Sequence, residues 1–233
     1  MKFLKTFIII TLYFSFFYSL YSECTLISYY HKENSFWEDR IHCKKNLLNS
    51  PFSAGSLFKI FIVNSAFYYN LLEKKDISKI NKLLKESDNQ YFIHLLNKIN
   101  KNRFIDYLNK NLKKYINPYT IKISDFKDDF SYVHGGRLKF NPIQILNWFK
   151  YLSLEEAQHF KLTLQSLEQV ENDIKFYGKS GTWDGAAWFC GINNNSSLIV
   201  ICVLNTYKKP NWKAAKEKSY KTFINILKNI NNL

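Results

Sequence analysis

The chain has 233 residues, 46% hydrophobic, 18% aromatic and 22% charged, with only 7 Gly and 4 Pro. That composition excludes intrinsic disorder and collagen-like repeats and describes a globular chain of one domain. The formal charge of +14 comes from 33 Lys and Arg against 19 Asp and Glu, but only Arg40, Arg103 and Arg137 are Arg, the residue that reads bases and phosphates bidentately. The excess therefore reads as a solvated lysine surface, and no nucleic-acid partner is expected.

Lys2 and Lys5 precede an apolar run from Phe7 to Leu20 and the polar pair Ser22-Glu23. This is the layout of a secretory signal peptide over residues 1–22. The run falls short of the ~20 residues of a comfortable span, so a membrane contact is expected only if the segment stays uncleaved. The protein is expected to be exported, periplasmic or extracellular, where disulfides persist, with residues 23–233 forming a single folded domain.

Next, Thr25 to Tyr30 and Ser35 to Ile41 are β-like runs around a turn near Glu33-Asn34. Folding that hairpin about its centre sets Cys24 opposite Cys43, which allows a cross-hairpin disulfide. The apolar stretch from Ser56 to Leu72 reads as a buried helix opening at Ser56. From Asp76 to Leu112 the text is helical and amphipathic, with Ile80, Leu83 and Leu84, then Phe92, Leu95, Leu96 and Ile99, at spacings of three and four. A loop follows to Asn141, and Pro142 suits the first turn of a helix reaching about Leu167. Ile174 to Ser180, Ala186 to Ile192 and Leu198 to Thr206 are β-like. Turn arithmetic puts Cys190 opposite residue 199, so Cys190 and Cys202 read as core thiols. A last amphipathic helix carries Trp212, Ala215, Phe223, Ile224, Leu227 and Ile230. The order predicts an α/β (α+β) fold: one antiparallel sheet built from both chain ends, a helical lobe over about residues 60–170, and a cleft between them.

Three short signals fall on these elements. Ser56 and Lys59 stand one helical turn apart, so an amine held neutral by an apolar pocket can accept the serine proton. The spacing alone is common, since Ser124 and Lys127 repeat it, but Ser56 opens an apolar helix whose free N–H groups suit an oxyanion. Ser87-Asp88-Asn89 offers a proton relay and an amide, and reads equally as a helix N-cap. Lys179-Ser180-Gly181-Thr182 offers a cation, two hydroxyls and a glycine permitting close backbone approach, and reads equally as a strand end before a turn.

The order S-x-x-K, S-D-N, K-S/T-G resembles that of serine β-lactamases and penicillin-binding proteins. Several stretches look most like class D β-lactamases: Ser50-Pro51 ahead of Ser56-Leu57-Phe58-Lys59-Ile60, Tyr115-Ile116-Asn117, Gly136-Arg137-Leu138-Lys139-Phe140 followed by Gln144, Trp188-Phe189-Cys190-Gly191, and Leu204-Asn205. The resemblance implies a serine β-lactamase/D,D-peptidase-like fold and a β-lactam hydrolase with Ser56 as the acylated nucleophile and Lys59 as its base. It further implies that Ser87 shuttles the proton, Asn89 holds a substrate amide, Lys179 tunes the field, and Ser180 and Thr182 contact a substrate carboxylate. Gly181 lets the substrate approach the strand, and the N–H groups of Ser56 and Thr182 form the oxyanion hole. No cofactor is implied beyond a CO2-derived carbamate on Lys59, and the partner is a small-molecule β-lactam or a D-Ala-D-Ala peptidoglycan stem peptide.

The chain also departs from that pattern. Ser87-Asp88-Asn89 stands where class D enzymes carry S-x-V. The segment from Phe130 to Gly135 has Tyr132 and His134 but no Trp, and no Arg follows Arg137, so Thr182 has to serve the carboxylate. Glu168-x-x-x-Asn172 sits too near Lys179 to supply a deacylating Glu, and the short Lys59-to-Ser87 spacing implies a trimmed lobe. Acylation is thus better supported than turnover, which keeps a D,D-carboxypeptidase or transpeptidase and a non-turning-over lactam sensor as alternatives. His31, His42, His94, His134 and His159 lack ligand spacing, and no metal is expected.

Overall fold

The structure, a computed structural model, describes residues 23–111, 120–195, 197–208 and 210–231. The proposed signal segment and Tyr115-Ile116-Asn117 lie outside the described residues. Among the described residues, no helix is long and apolar enough to cross a membrane.

Six strands form one sheet: β1 (Cys24–His31), β2 (Phe36–Cys43), β3 (Glu168–Glu171), β4 (Ile174–Trp183), β5 (Ala186–Asn193) and β6 (Ile199–Thr206). Their order is β2-β1-β6-β5-β4-β3, and every pairing is antiparallel. The hairpin from the amino-terminal end therefore docks on β6 near the carboxyl end, as the strand-helix-strand order predicts. Cys24 and Cys43 are directly paired across β1 and β2 and joined as a disulfide. Cys190 and Cys202 are also directly opposed, not offset by three positions as turn arithmetic suggests, because β5 and β6 pair in a register that sets Asn193 opposite Ile199. Both are buried free thiols.

Period-two alternation sends side chains to two cores. Trp188, Cys190, Ile192, Val200, Cys202 and Leu204 face the helical lobe. Phe176, Phe189, Ile201 and Val203 face the opposite side, where Phe223, Ile224 and Leu227 of the carboxyl-terminal helix cover them.

The helical elements are shorter than apolar periodicity suggests. They are α1 (Lys45–Leu48), α2 (Lys59–Tyr68), α3 (Ile77–Glu86), α4 (Asn89–Ile99), α5 (Lys101–Asn111), α6 (Asp129–Val133), α7 (Pro142–Leu154), α8 (Gln158–Gln165) and α9 (Trp212–Asn231). The helical stretch from Asp76 breaks at Ser87, where the sequence also reads as a helix cap, and at Asn100, both at positive φ, 57° and 74°. There Tyr91 N and Asn102 N donate to the side-chain oxygens of Asp88 and Asn100 at 2.9 Å each, local bonds that compete with helix continuation. The stretch from Pro142 breaks at Glu155, which lets Phe160 of α8 pack on Tyr151. Asn64 of α2 donates to Thr163 of α8 at 2.8 Å. Strand β3, left unassigned by the sequence between Leu167 and Ile174, has only four residues and an exposed Val170, too little pattern to register as a strand.

Candidate active site

Ser56 sits in a 3-10 turn, Gly55–Phe58, that runs directly into α2. Two glycines let this turn touch β4. A Cβ on Gly181 would fall 2.3 Å from Ala54 O and 2.9 Å from Leu57 N, and one on Gly55 would fall 2.8 Å from the Thr182 backbone. Strand β3 pairs with β4 only as far as Tyr177, so beyond that point the outer edge of β4 faces the serine turn instead. Trp188 Nε1 donates to Ser53 O at 2.9 Å, and Phe52 exchanges backbone bonds with Phe140, fixing the chain that enters the turn.

Lys59, the first residue of α2, has no exposed surface. Its Nζ donates to Asn89 Oδ1 at 2.6 Å and to Ser87 O at 2.7 Å, and lies 3.4 Å from Ser56 Oγ. Burial pushes the amine down to about 8; the Asp88 charge opposes the shift and the Lys216 charge adds to it. Lys179, reaching across from β4, is also buried and donates to Ser87 Oγ at 2.8 Å and Ser180 O at 2.7 Å. Burial, then the charges of Lys59 and Lys216, hold it well below the ordinary lysine range.

The Ser87-Asp88-Asn89 segment caps two helices and also meets both buried lysines. Ser87 is the left-handed C-cap of α3, and Asp88 is the N-cap of α4. The reversal between two helix ends points the Ser87 carbonyl at Lys59 and its hydroxyl toward Lys179. A non-glycine residue held left-handed costs free energy, and here it serves both lysines.

Alternation along β4 divides the Lys179-Ser180-Gly181-Thr182 motif between the two sheet faces. Lys179 and Gly181 pair with Cys190 and Trp188 and share their face, toward the helical lobe. Ser180 and Thr182 pair with Phe189 and Ala187 and share the face covered by α9. Thr182 Oγ1 is buried there with no hydrogen-bond partner.

Sequence spacing missed the rim of the cleft. His134 is buried, bonds Phe130 O through Nδ1 at 2.9 Å, and stacks on Trp183 at 4.5 Å. Phe130 and Trp183 are both partly exposed, with ring centroids 5.5 Å apart. Burial depresses His134 most; the Phe130 carbonyl opposes this, and Lys59 and Lys179 reinforce it. The segment from Phe130 to Gly135 thus acquires a tryptophan from β4, and the adjacency of Trp183 to Thr182 was the one local hint. Glu168 lies on β3 and pairs with Lys175 at 2.8 Å, away from the serine. Among the described residues, no three His, Cys, Asp or Glu side chains gather in a metal-binding arrangement.

Comparison with known proteins identifies the fold. No protein-family model matches the chain, and no curated protein does. Among solved structures, the C-terminal domain of the Bacillus licheniformis BlaR penicillin-receptor is similar at a TM-score of 0.64 and 17% identity, over 88% of this chain and 89% of that one. The class D β-lactamase FUS-1 from Fusobacterium nucleatum subsp. polymorphum is similar at 0.64 and 16%, over 87% and 92%. A delta mutant of the class D β-lactamase BSU-2 is similar at 0.66 and 17%, over 88% and 90%. The α+β architecture, with its sheet built from both chain ends, is therefore the serine β-lactamase and penicillin-receptor fold.

Proposed function

We propose that the protein is an exported, penicillin-recognising serine hydrolase that acylates Ser56 with a β-lactam and releases the product to water. The observation that carries this reading is the position of a buried Lys59 amine, lowered to about 8, within 3.4 Å of Ser56 Oγ. In that state a useful fraction is neutral near physiological pH and can act as a base.

Neutral Lys59 takes the Ser56 proton as Oγ bonds to the lactam carbonyl carbon. The N–H groups of Ser56 and Thr182 receive the developing oxyanion. The lactam C–N bond then breaks, and its nitrogen takes a proton through Ser87 Oγ, which Lys179 holds in place. Asn89 Oδ1 accepts from Lys59, which leaves the amide hydrogens for a substrate carbonyl. Water then adds to the ester, the bond to Ser56 Oγ breaks, the acid leaves and the serine recovers its proton.

The class D resemblance implies a carbamate on Lys59, and the surroundings of this amine do not fit one. Its close partners Ser87 O and Asn89 Oδ1 are acceptors, matched to an amine with hydrogens to give. A carbamate would bring two anionic oxygens against them and keep one N–H. Lys59 is accordingly read as a free amine, and no step is routed through a carbamate.

One observation favours a slower second reading, a lactam sensor that stays acylated. Asp88 is the carboxylate whose charge is felt at Lys59, and its Oδ1 is committed to Tyr91 N. Among the described residues no other carboxylate is felt at Lys59, so in this reading deacylation falls to the Lys59 amine alone and is slow. The cross-strand Cys24–Cys43 disulfide supports export to an oxidising compartment.

The test is intact-protein mass spectrometry of wild type and Ser56→Ala over time with benzylpenicillin, with and without bicarbonate. A Ser56-dependent adduct that decays to penicilloate at a bicarbonate-independent rate is expected. A persistent adduct selects the sensor, and release of D-Ala from a D-Ala-D-Ala stem peptide with little lactam turnover selects the peptidase. No adduct with either substrate removes the reading.

A further inference from the structure

Strand β2 ends the sheet, and among the described residues no strand pairs with its outer edge. An open edge presents a row of unpaired N–H and C=O groups, a template for another strand. Proteins usually blunt such an edge with Lys, Pro, a bulge or a very short strand. The other end of this sheet follows that rule, since β3 has only four residues. β2 does not. It runs eight residues, Phe36–Cys43, in unbroken register with β1. In a chain with 33 Lys and Arg, Arg40 is its only Lys or Arg, and it has no Pro. Phe36 and Ile41 are exposed, at 46% and 36%.

The strand is complementary to a second copy of itself. Two β2 edges meeting about a two-fold axis run antiparallel, and directly opposed residues point to the same face of the sheet. Centring the axis on Asp39 sets Glu38 opposite Arg40, Trp37 opposite Ile41 and Phe36 opposite His42. The two-fold repeats each pair, so opposite charges meet twice and apolar or aromatic side chains meet across the remaining positions. Moving the centre by one residue sets Glu38 against Glu38 or Arg40 against Arg40, and turns Asp39 toward Trp37 or Ile41. Side-chain chemistry therefore singles out one register.

The self-pair at the axis, Asp39 with Asp39, is neutralised in advance. Lys150 of α7 donates to both carboxylate oxygens of Asp39, at 2.5 and 2.8 Å, and Ser28 donates to one of them. On the other face Arg40 Nε donates to Glu38 Oε1 at 3.0 Å, and the guanidinium lies 4.8 Å from the Tyr29 ring centroid. The guanidinium has further N–H groups for a second carboxylate, so two copies close a ring of two Glu38 and two Arg40.

We propose that two copies of this chain form a two-fold dimer by pairing their β2 edges, joining the two six-stranded sheets into one continuous sheet with Asp39 at the axis. The pairing is independent of the chemistry at Ser56, which lies against β4, beyond β1, β6 and β5.

Sedimentation velocity of the protein as exported, from about 1 to 100 μM, is run at about 0.15 M salt to screen the repulsion between chains of charge +14. A dimer that grows with concentration is expected. Glu38→Arg and Arg40→Glu each set like charges opposite one another twice, and each is expected to raise the dimer dissociation constant about 10- to 100-fold. Mixed in equal amounts, the two variants oppose unlike charges again and are expected to recover the dimer. A monomer at every concentration overturns the proposal. A dimer that neither variant weakens uses another surface, and weakened variants that do not recover in the mixture do not pair in this register; either result also overturns it.

Hydrogen exchange of the wild type gives a second reading that needs no variant. The backbone amides of residues 36–42 that are not bonded to β1 are expected to gain protection in step with the dimer fraction. Protection that does not follow that fraction assigns the edge to another segment of the same chain, and amides that stay unprotected leave it open; both overturn the dimer.

Discussion

Lys59 and Lys179, buried lysines from opposite sides of the cleft, are joined through one residue: the Ser87 carbonyl accepts from Lys59 at 2.7 Å, and the Ser87 hydroxyl accepts from Lys179 at 2.8 Å. Burial disfavours both amines as cations, and the charge of Lys59 lowers Lys179 further. The bridge gives each an acceptor without adding negative charge, so both stay depressed and Lys59 remains available as a base.

Acylation by benzylpenicillin should therefore rise with pH through about 8 and level off above it, because the proposed mechanism uses the neutral form of Lys59. Lys59→Met should lower the acylation rate about 100- to 10,000-fold, and Lys59→Arg, which stays charged, should not restore the rise. A stopped-flow profile that is flat across this range would remove Lys59 as the base.

Capping and chemistry in the Ser87-Asp88-Asn89 segment should separate by mutation. Ser87→Gly relieves the left-handed backbone at φ 57°, so thermal stability should hold or rise by up to about 1 kcal/mol while acylation falls. Asp88→Ala loses the bond to Tyr91 N and should cost about 1 kcal/mol. It also removes the charge that raises Lys59, so the midpoint of the pH profile should move down. Thermal melts and pH profiles of the two variants read both effects.

Gly181→Ala places a methyl group 2.3 Å from Ala54 O. Strand β4 and the serine turn must part, at a cost of about 1–3 kcal/mol, and the Ser56 and Thr182 N–H groups separate with them. Acylation should fall about 100-fold or more, in line with losing an oxyanion donor. Wild-type acylation kinetics in this variant would show that the close approach is dispensable.

Alkylation of the denatured, unreduced protein should label Cys190 and Cys202 and spare Cys24 and Cys43. Replacing Cys24 and Cys43 by Ser reopens a 19-residue separation and should cost about 3 kcal/mol on the chain-entropy estimate, seen as a lower denaturant midpoint. Labelling of all four cysteines would exclude the disulfide.

Much of the site was legible in the sequence because its parts are local. The turn of helix between Ser56 and Lys59, the cap signature at Asp88 and the strand-end glycine at Gly181 each announce themselves within four residues. The hairpin symmetry that opposes Cys24 to Cys43 is equally local. Helix lengths were less legible: apolar periodicity runs through Ser87 and Asn100, where side-chain bonds of Asp88 and Asn100 stop the helix.

By itself the sequence determined the element order, the two-ended antiparallel sheet and the identity of five of the groups that meet at Ser56 and Ser87, since periodicity, caps and turns act over short distances. Tertiary structure alone decided which face each group serves. Alternation along β4 parted Ser180 and Thr182 from Lys179, and packing carried Trp183 onto His134. Those contacts join residues far apart in the chain and arise from burial of two apolar faces, which no local pattern encodes.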